Sequence, residues 1–282
     1  MTLIFKTALF VLLGVITATA SCTNPSSGLE QEFHSMYNLE FVTARQDLAV
    51  WQQSHPDDPL GSVSEAASYL FEELNRTGSL EAELFVDNEH FDRRKTITPD
   101  GKSKRLFDAA IARALELADR QLNNDPRPPD AMLAKTLAFG LKADYAALIE
   151  KRNRQALTYI KLGREWAQRT LAADPACYDA YLALGVENYL LGTKPTVARA
   201  FLWLQGAHVD REKGVRELQV TAEKGRLLQP FARILLAVAA LRAQNFARAH
   251  ELLQGLKDEF PGNPLYAREL AKVESREGKT AS

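Results

Sequence analysis

The sequence predicts an all-α protein. Apolar residues recur at spacings of three and four between charged ones, while Val, Ile and Thr alternating with period two are scarce. Stop signals such as SHPDDP, NNDPRPPD and Asp174-Pro175 punctuate the chain, and a new helical pattern follows each one. Helices separated by short breaks fold back on one another, so the expected architecture is a stack of helical hairpins.

The elements follow in order. Residues 39–53 place Phe41, Ala44, Leu48 and Trp51 on one stripe. A second helix is expected over 64–74, with Ser64 as N-cap and Ala66, Tyr69 and Leu70 inward. The segment from Asn75 to Lys102 holds two glycines and a proline, and it reads as a long connection with one short helix over the core. A long amphipathic helix over 102–122 turns Leu106, Phe107, Ala110, Ala114, Leu117, Ala118 and Leu122 inward. Helices over 131–151 and 154–172 break near KRNRQ, and another over 179–191 ends at Gly192 and Pro195. The apolar stretch TVARAFLWLQGAHVD intervenes before a helix over 210–224 that Asp210 caps. A helix, a tight turn at Gln244-Asn245, a second helix, a stop at Pro261 and a last helix complete the chain.

The first residues have the layout of a secretory signal peptide: one charge at Lys6, an apolar run over 8–16, then Thr17, Ala18, Thr19, Ala20 and Ser21. That run is shorter than the roughly 20 residues of a membrane span. Two cleavage readings stand. Ala18-Thr19-Ala20 fits ordinary small-x-small processing, whereas Thr19-Ala20-Ser21-Cys22 resembles a relaxed bacterial lipobox that would lipidate Cys22. Both export the protein, to the periplasm or to a membrane anchor. TNPSSG after Cys22 reads as a flexible tether. The expected division is a signal peptide over 1–21, a tether over 22–31 and a helical domain over 32–278. The second cysteine, Cys177, reads as a small residue in a turn, and its pairing with Cys22 has little to motivate it in the sequence. About 260 residues remain to build a core, and 35 Lys+Arg against 36 Asp+Glu leave no basic field to hold nucleic acid.

The C-terminal pair resembles a tetratricopeptide repeat, a helix-turn-helix unit of about 34 residues. Leu236 and Ala237 match its first helix, and Ala249, Leu253, Leu256 and Pro261 its second. Tyr181, Leu184, Gly185 and Tyr189 match another first helix, whose partner resumes at Gly214, Leu218 and Thr221 after the apolar insertion. Second-helix matches also fall at Ala114, Ala118, Gln121 and Pro126, at Ala44, Leu48, Trp51 and Pro56, and more loosely at Gly163, Ala167, Thr170 and Pro175. The stop prolines keep no fixed period and two insertions interrupt the array. The whole is similar to exported bacterial tetratricopeptide-repeat proteins without an assigned activity.

That resemblance implies a concave face lined by first helices, where partners bind. Leu133, Leu137, Leu182, Val186, Tyr189, Ile234 and Val238 are its candidate groove residues. They also read as ordinary core, with Phe201, Leu202, Trp203 and Leu204 of the insertion as an internal filling. Arg93, Arg94 and Lys95 form a basic cluster suited to an anion or acidic peptide, or simply to solvent. His34, His55, His90, His208 and His250 lack the spacing of a helical zinc motif, and no nucleophile elbow, P-loop or paired-cysteine motif is present. The expected activity is therefore non-catalytic, with no cofactor: a cell-envelope scaffold that binds a protein or peptide. The alternatives are a periplasmic carrier of a small or lipidic ligand and, third, an enzyme with its site in the 75–102 insertion.

Overall fold

A computed structural model describes residues 22, 28–80, 98–125, 128–192 and 210–280. Among these residues the chain forms α-helices and no strand. They are α1 (Glu30–Tyr37), α2 (Phe41–Ser54), α3 (Pro59–Arg76), α4 (Gly101–Asn124), α5 (Pro129–Asp144), α6 (Asn153–Ala173), α7 (Tyr181–Gly192), α8 (Arg211–Lys224), α9 (Gln229–Arg242), α10 (Phe246–Glu259) and α11 (Pro264–Thr280).

Local chemistry sets the helix starts. Asp58, Asp100, Asp210 and Asn245 each accept a backbone N–H of the following first turn. α3 therefore begins before the expected position. Asp58 caps it with Pro59 as first residue, and Ser64 lies inside the helix, buried. The Gln244-Asn245 turn forms as expected, with Gln244 at φ 56° and Asn245 holding the Arg248 N–H.

The helices pack as consecutive pairs: α3 with α4, α5 with α6, α7 with α8, and α9 with α10. Each pair also rests on the next through its second helix, so α4 meets α5, α6 meets α7, α8 meets α9, and α10 meets α11. α7 and α8 approach closely, so that a Cβ added to Gly214 would sit 2.5 Å from the Tyr189 backbone N and 2.9 Å from the Gly185 O. Two glycines facing each other thus let two backbones touch. On α4 the core face is Phe107, Ala110, Ile111, Ala114, Leu117 and Ala118. Leu106, expected inward, is 38 % exposed, because successive helical residues lie about 100° apart and Phe107 already points to the core.

The N-terminal segment departs most from expectation. Its described residues touch the turns that follow α6, α8 and α10. Cys22 is disulfide-bonded to Cys177 in the α6–α7 turn, with Cα atoms 4.9 Å apart. Glu30 pairs with Arg226 at 3.1 Å, and the Tyr37 hydroxyl donates to the Leu227 carbonyl in the α8–α9 turn at 3.0 Å. At the α10–α11 turn the Gly262 N–H donates to Asn38 Oδ1 at 3.0 Å, and Asn263 Nδ2 donates to the Tyr37 carbonyl at 2.8 Å. After α2 the chain arrives at the α4 end, where Gln121 Nε2 donates to the Asp57 carbonyl at 2.9 Å.

This strap corrects two expectations. Cys177 is not a lone small turn residue, and Cys22 is buried and bonded to it; residues 23–27 of the expected tether lie outside the described residues. Cysteines 155 positions apart become neighbours only because the strap folds back over the stack. A sulfur in a disulfide cannot also carry a thioether-linked lipid, so in this form Cys22 is not a lipidation site. One contiguous apolar core runs from Cys22 and Leu29 through Leu70, Leu133 and Leu218 to Val273.

The α5–α6 corner is a single π-turn, Tyr145–Ile149, followed by Lys151 at φ 54°. It falls just before the expected break. Asp144 enters this corner. The residue keeps an edge in solvent, yet its carboxyl is crowded enough that burial pushes its pKa up to about 7. A carboxyl raised on folding holds a proton that the unfolded chain releases near the ordinary value of 3.8. Its contribution is full below that value and is lost as pH climbs to about 7. Asp144→Asn is expected to flatten the fall of the urea midpoint across this window, with the solvent edge limiting the size of the change. Parallel midpoint-versus-pH curves for variant and parent would refute this.

Candidate functional site

The first helices α5, α7 and α9 carry all seven predicted groove residues. Leu133, Leu182, Tyr189 and Val238 are buried among core side chains. Leu137, Val186 and Ile234 are half-buried and pack against the same core. Of the seven, Leu137, Val186 and Ile234 keep outer edges that a partner could touch. Arg93, Arg94 and Lys95, like Phe201, Leu202, Trp203 and Leu204, lie outside the described residues.

Beside the α7 part of this face is a polar seam that the sequence reading missed. Arg164 on α6 donates from Nη1 to Glu187 Oε1 at 3.3 Å, and its Nε lies 3.3 Å from Oε2. Asn188 Nδ2 donates to Glu217 Oε2 on α8 at 2.7 Å, and Lys213 Nζ stands 3.8 Å from Glu217 Oε1. Glu187 is 2 % exposed, so burial pushes its carboxyl up while Arg164 pulls it back. Burial also raises the Tyr189 phenol, and Arg211 lies over that ring at 5.7 Å. Each carboxylate is matched by a cation, so the seam fixes how three helices meet. Its one trace in the sequence is the polar pair Glu187-Asn188 inside the otherwise apolar run from Leu182 to Leu191.

Asp179, in the α6–α7 turn just before α7, is buried and receives the backbone N–H groups of Arg226, Leu227 and Leu228 at 3.0, 3.1 and 3.0 Å. Burial raises its carboxyl and these three donors oppose the rise. The carboxylate thereby binds the α8–α9 turn to the start of α7.

A cleft of about 250 Å³ opens between α8, α9 and α10, with Ala222, Leu236 and Leu252 as floor and Glu223, Arg233, Arg248 and Glu251 around it. Arg248 pairs with Glu251 at 2.5 Å and Arg233 pairs with Glu259, so the rim is charge-balanced. The cleft is smaller than the roughly 300–1,000 Å³ of ordinary small-molecule sites.

The described histidines lie apart. His34 packs on Phe260, His55 stacks on Trp51 at 4.2 Å, and His250 stands 3.5 Å from Glu274. Among the described residues no group of three or more His, Cys, Asp or Glu side chains is placed to hold a metal ion, and no helix is long and apolar enough to cross a membrane. No known protein family, curated protein or solved structure matches the chain.

Proposed function

We propose that this protein is a non-catalytic scaffold of the bacterial cell envelope, built from tetratricopeptide-like hairpins, that binds another protein or peptide. The observation that carries this reading is the half-buried row Leu137, Val186 and Ile234 on the first helices of three successive pairs. Repeat arrays present such rows to partners, since each hairpin covers only its neighbour. The small residues Gly185, Ala237 and Ala249 are all buried at helix contacts, which supports the tetratricopeptide-like arrangement. The Cys22–Cys177 bridge supports export, because disulfides persist in oxidising compartments and are rare in the cytosol. The carrier reading finds less support, since the described cleft is small and lined by charge.

A photo-crosslinking residue placed at Leu137, Val186 or Ile234 in the native host is expected to trap the same protein from at least one position. Absence of any reproducible protein adduct at all three would sink the scaffold reading.

A further inference from the structure

We propose that Asp174 is the positioning residue for the Cys22–Cys177 bridge: it docks the strap on the turn that carries Cys177, so that the two sulfurs meet before the bond forms. The Asp174 carboxylate serves both sides of the junction. Its Oδ1 accepts the Ala176 N–H at 2.9 Å, and its backbone carbonyl accepts the Cys177 N–H at 3.1 Å, which fixes the turn. Its Oδ2 accepts the Cys22 N–H at 3.2 Å, across 152 positions of sequence. One side chain therefore braces the turn that carries Cys177, through Ala176, and grips the Cys22 backbone. Cys22 and Cys177 are 5 % and 1 % exposed, so the finished bond is covered from both sides. Further along the strap, Tyr37 and Asn38 are held at Leu227, Gly262 and Asn263 by hydrogen bonds that do not involve the sulfurs.

The chemistry needs an external disulfide oxidant, with oxidised glutathione as the probe. A thiolate of the pair attacks a glutathione sulfur, the glutathione S–S bond breaks, and one glutathione thiolate leaves. The second protein thiolate then attacks the protein sulfur of the mixed disulfide, forming Cys22–Cys177 and releasing the second glutathione. Two protein thiols are oxidised, one glutathione disulfide is reduced to two thiols, and proton balance is kept with solvent. With two cysteines in the chain the bond has a single possible pairing, so an oxidant is required and an isomerase is not.

The test equilibrates the full chain with glutathione redox buffers and reads the fraction bridged. Asparagine at position 174 keeps one oxygen and can serve the turn or the strap, not both. Asp174→Asn is therefore expected to lower the effective concentration of the thiol pair about tenfold, the share of one hydrogen bond to a charged group. That tenfold change is about 30 mV in the reduction potential of the bridge. In a Cys22→Ser background no bridge forms but the residue 22 N–H remains, and the same substitution is expected to leave a cooperative urea transition, which shows that the fold survives. An unchanged reduction potential in Asp174→Asn overturns the proposal. So does a parent protein that forms no bridge, or loss of the cooperative transition in the Cys22→Ser background.

Discussion

Replacing Cys177 by serine is expected to lower the unfolding free energy by about 2–5 kcal/mol, the usual range for losing a native disulfide. The bridge joins positions 155 apart, and chain entropy alone assigns a closed loop of that length about 5 kcal/mol. The observed value falls below that ceiling wherever the unfolded chain stays compact. Urea unfolding under non-reducing conditions measures it. Cys22→Ser should lose the same amount, and the parent protein in reductant should coincide with both. A loss below about 1 kcal/mol would mean that the bridge contributes little to holding the strap.

Gly214→Ala is expected to destabilise by about 3 kcal/mol, at the upper end of ordinary overpacking. Two effects oppose each other. Alanine favours a helix interior over glycine by about 1 kcal/mol. Against this, the new Cβ would lie 2.5 Å from the Tyr189 N, 2.9 Å from the Gly185 O and 3.0 Å from the Asn188 carbonyl carbon. All three are backbone atoms, which cannot rotate away, so the clash wins and α7 and α8 must separate. Gly140 provides the control, since nothing lies within 4 Å of a Cβ added there. Gly140→Ala is expected to stabilise by about 0.5–1 kcal/mol through helix propensity and the lost freedom of the unfolded chain. Thermal unfolding of both variants decides the matter. If Gly214→Ala and Gly140→Ala shift the midpoint in the same direction, the close-contact argument fails.

Those glycines also mark how far the sequence could be read. Gly185 and Gly214 were both expected at contact positions of one hairpin despite the insertion between them, and their helices pack through them. The helical class was legible for the same reason: periodicity along α2, α4 and α10 records one buried face per helix. The strap left no such trace. Its contacts join residues 152 to 226 positions apart, and each rests on a single cysteine, glutamate, tyrosine or asparagine rather than on a repeating pattern. Ser64 misled because a serine before an apolar stripe resembles a cap, while Asp58-Pro59 had already started the helix. At the candidate site, the groove residues were named from the tetratricopeptide resemblance, and they fall on α5, α7 and α9. The resemblance could not tell the buried Leu133 and Leu182 from the half-buried Leu137 and Val186, because that depends on which neighbouring helix covers each position. The Arg164–Glu187 pair escaped because its partners come from two different helices.

The strap has a consequence for timing. Tyr37 is made early, yet its carbonyl waits for Asn263, 226 positions later. At synthesis rates of about 5–20 residues per second, that wait is roughly 10–50 s. Throughout it, the His34 and Tyr37 rings lack the Phe260 ring on which they pack. The hairpins can form in order as they emerge, but the hold on Tyr37 and Asn38 is completed only once the α10–α11 turn is in place. A truncation that removes that turn takes away the anchor of residues more than 200 positions before it.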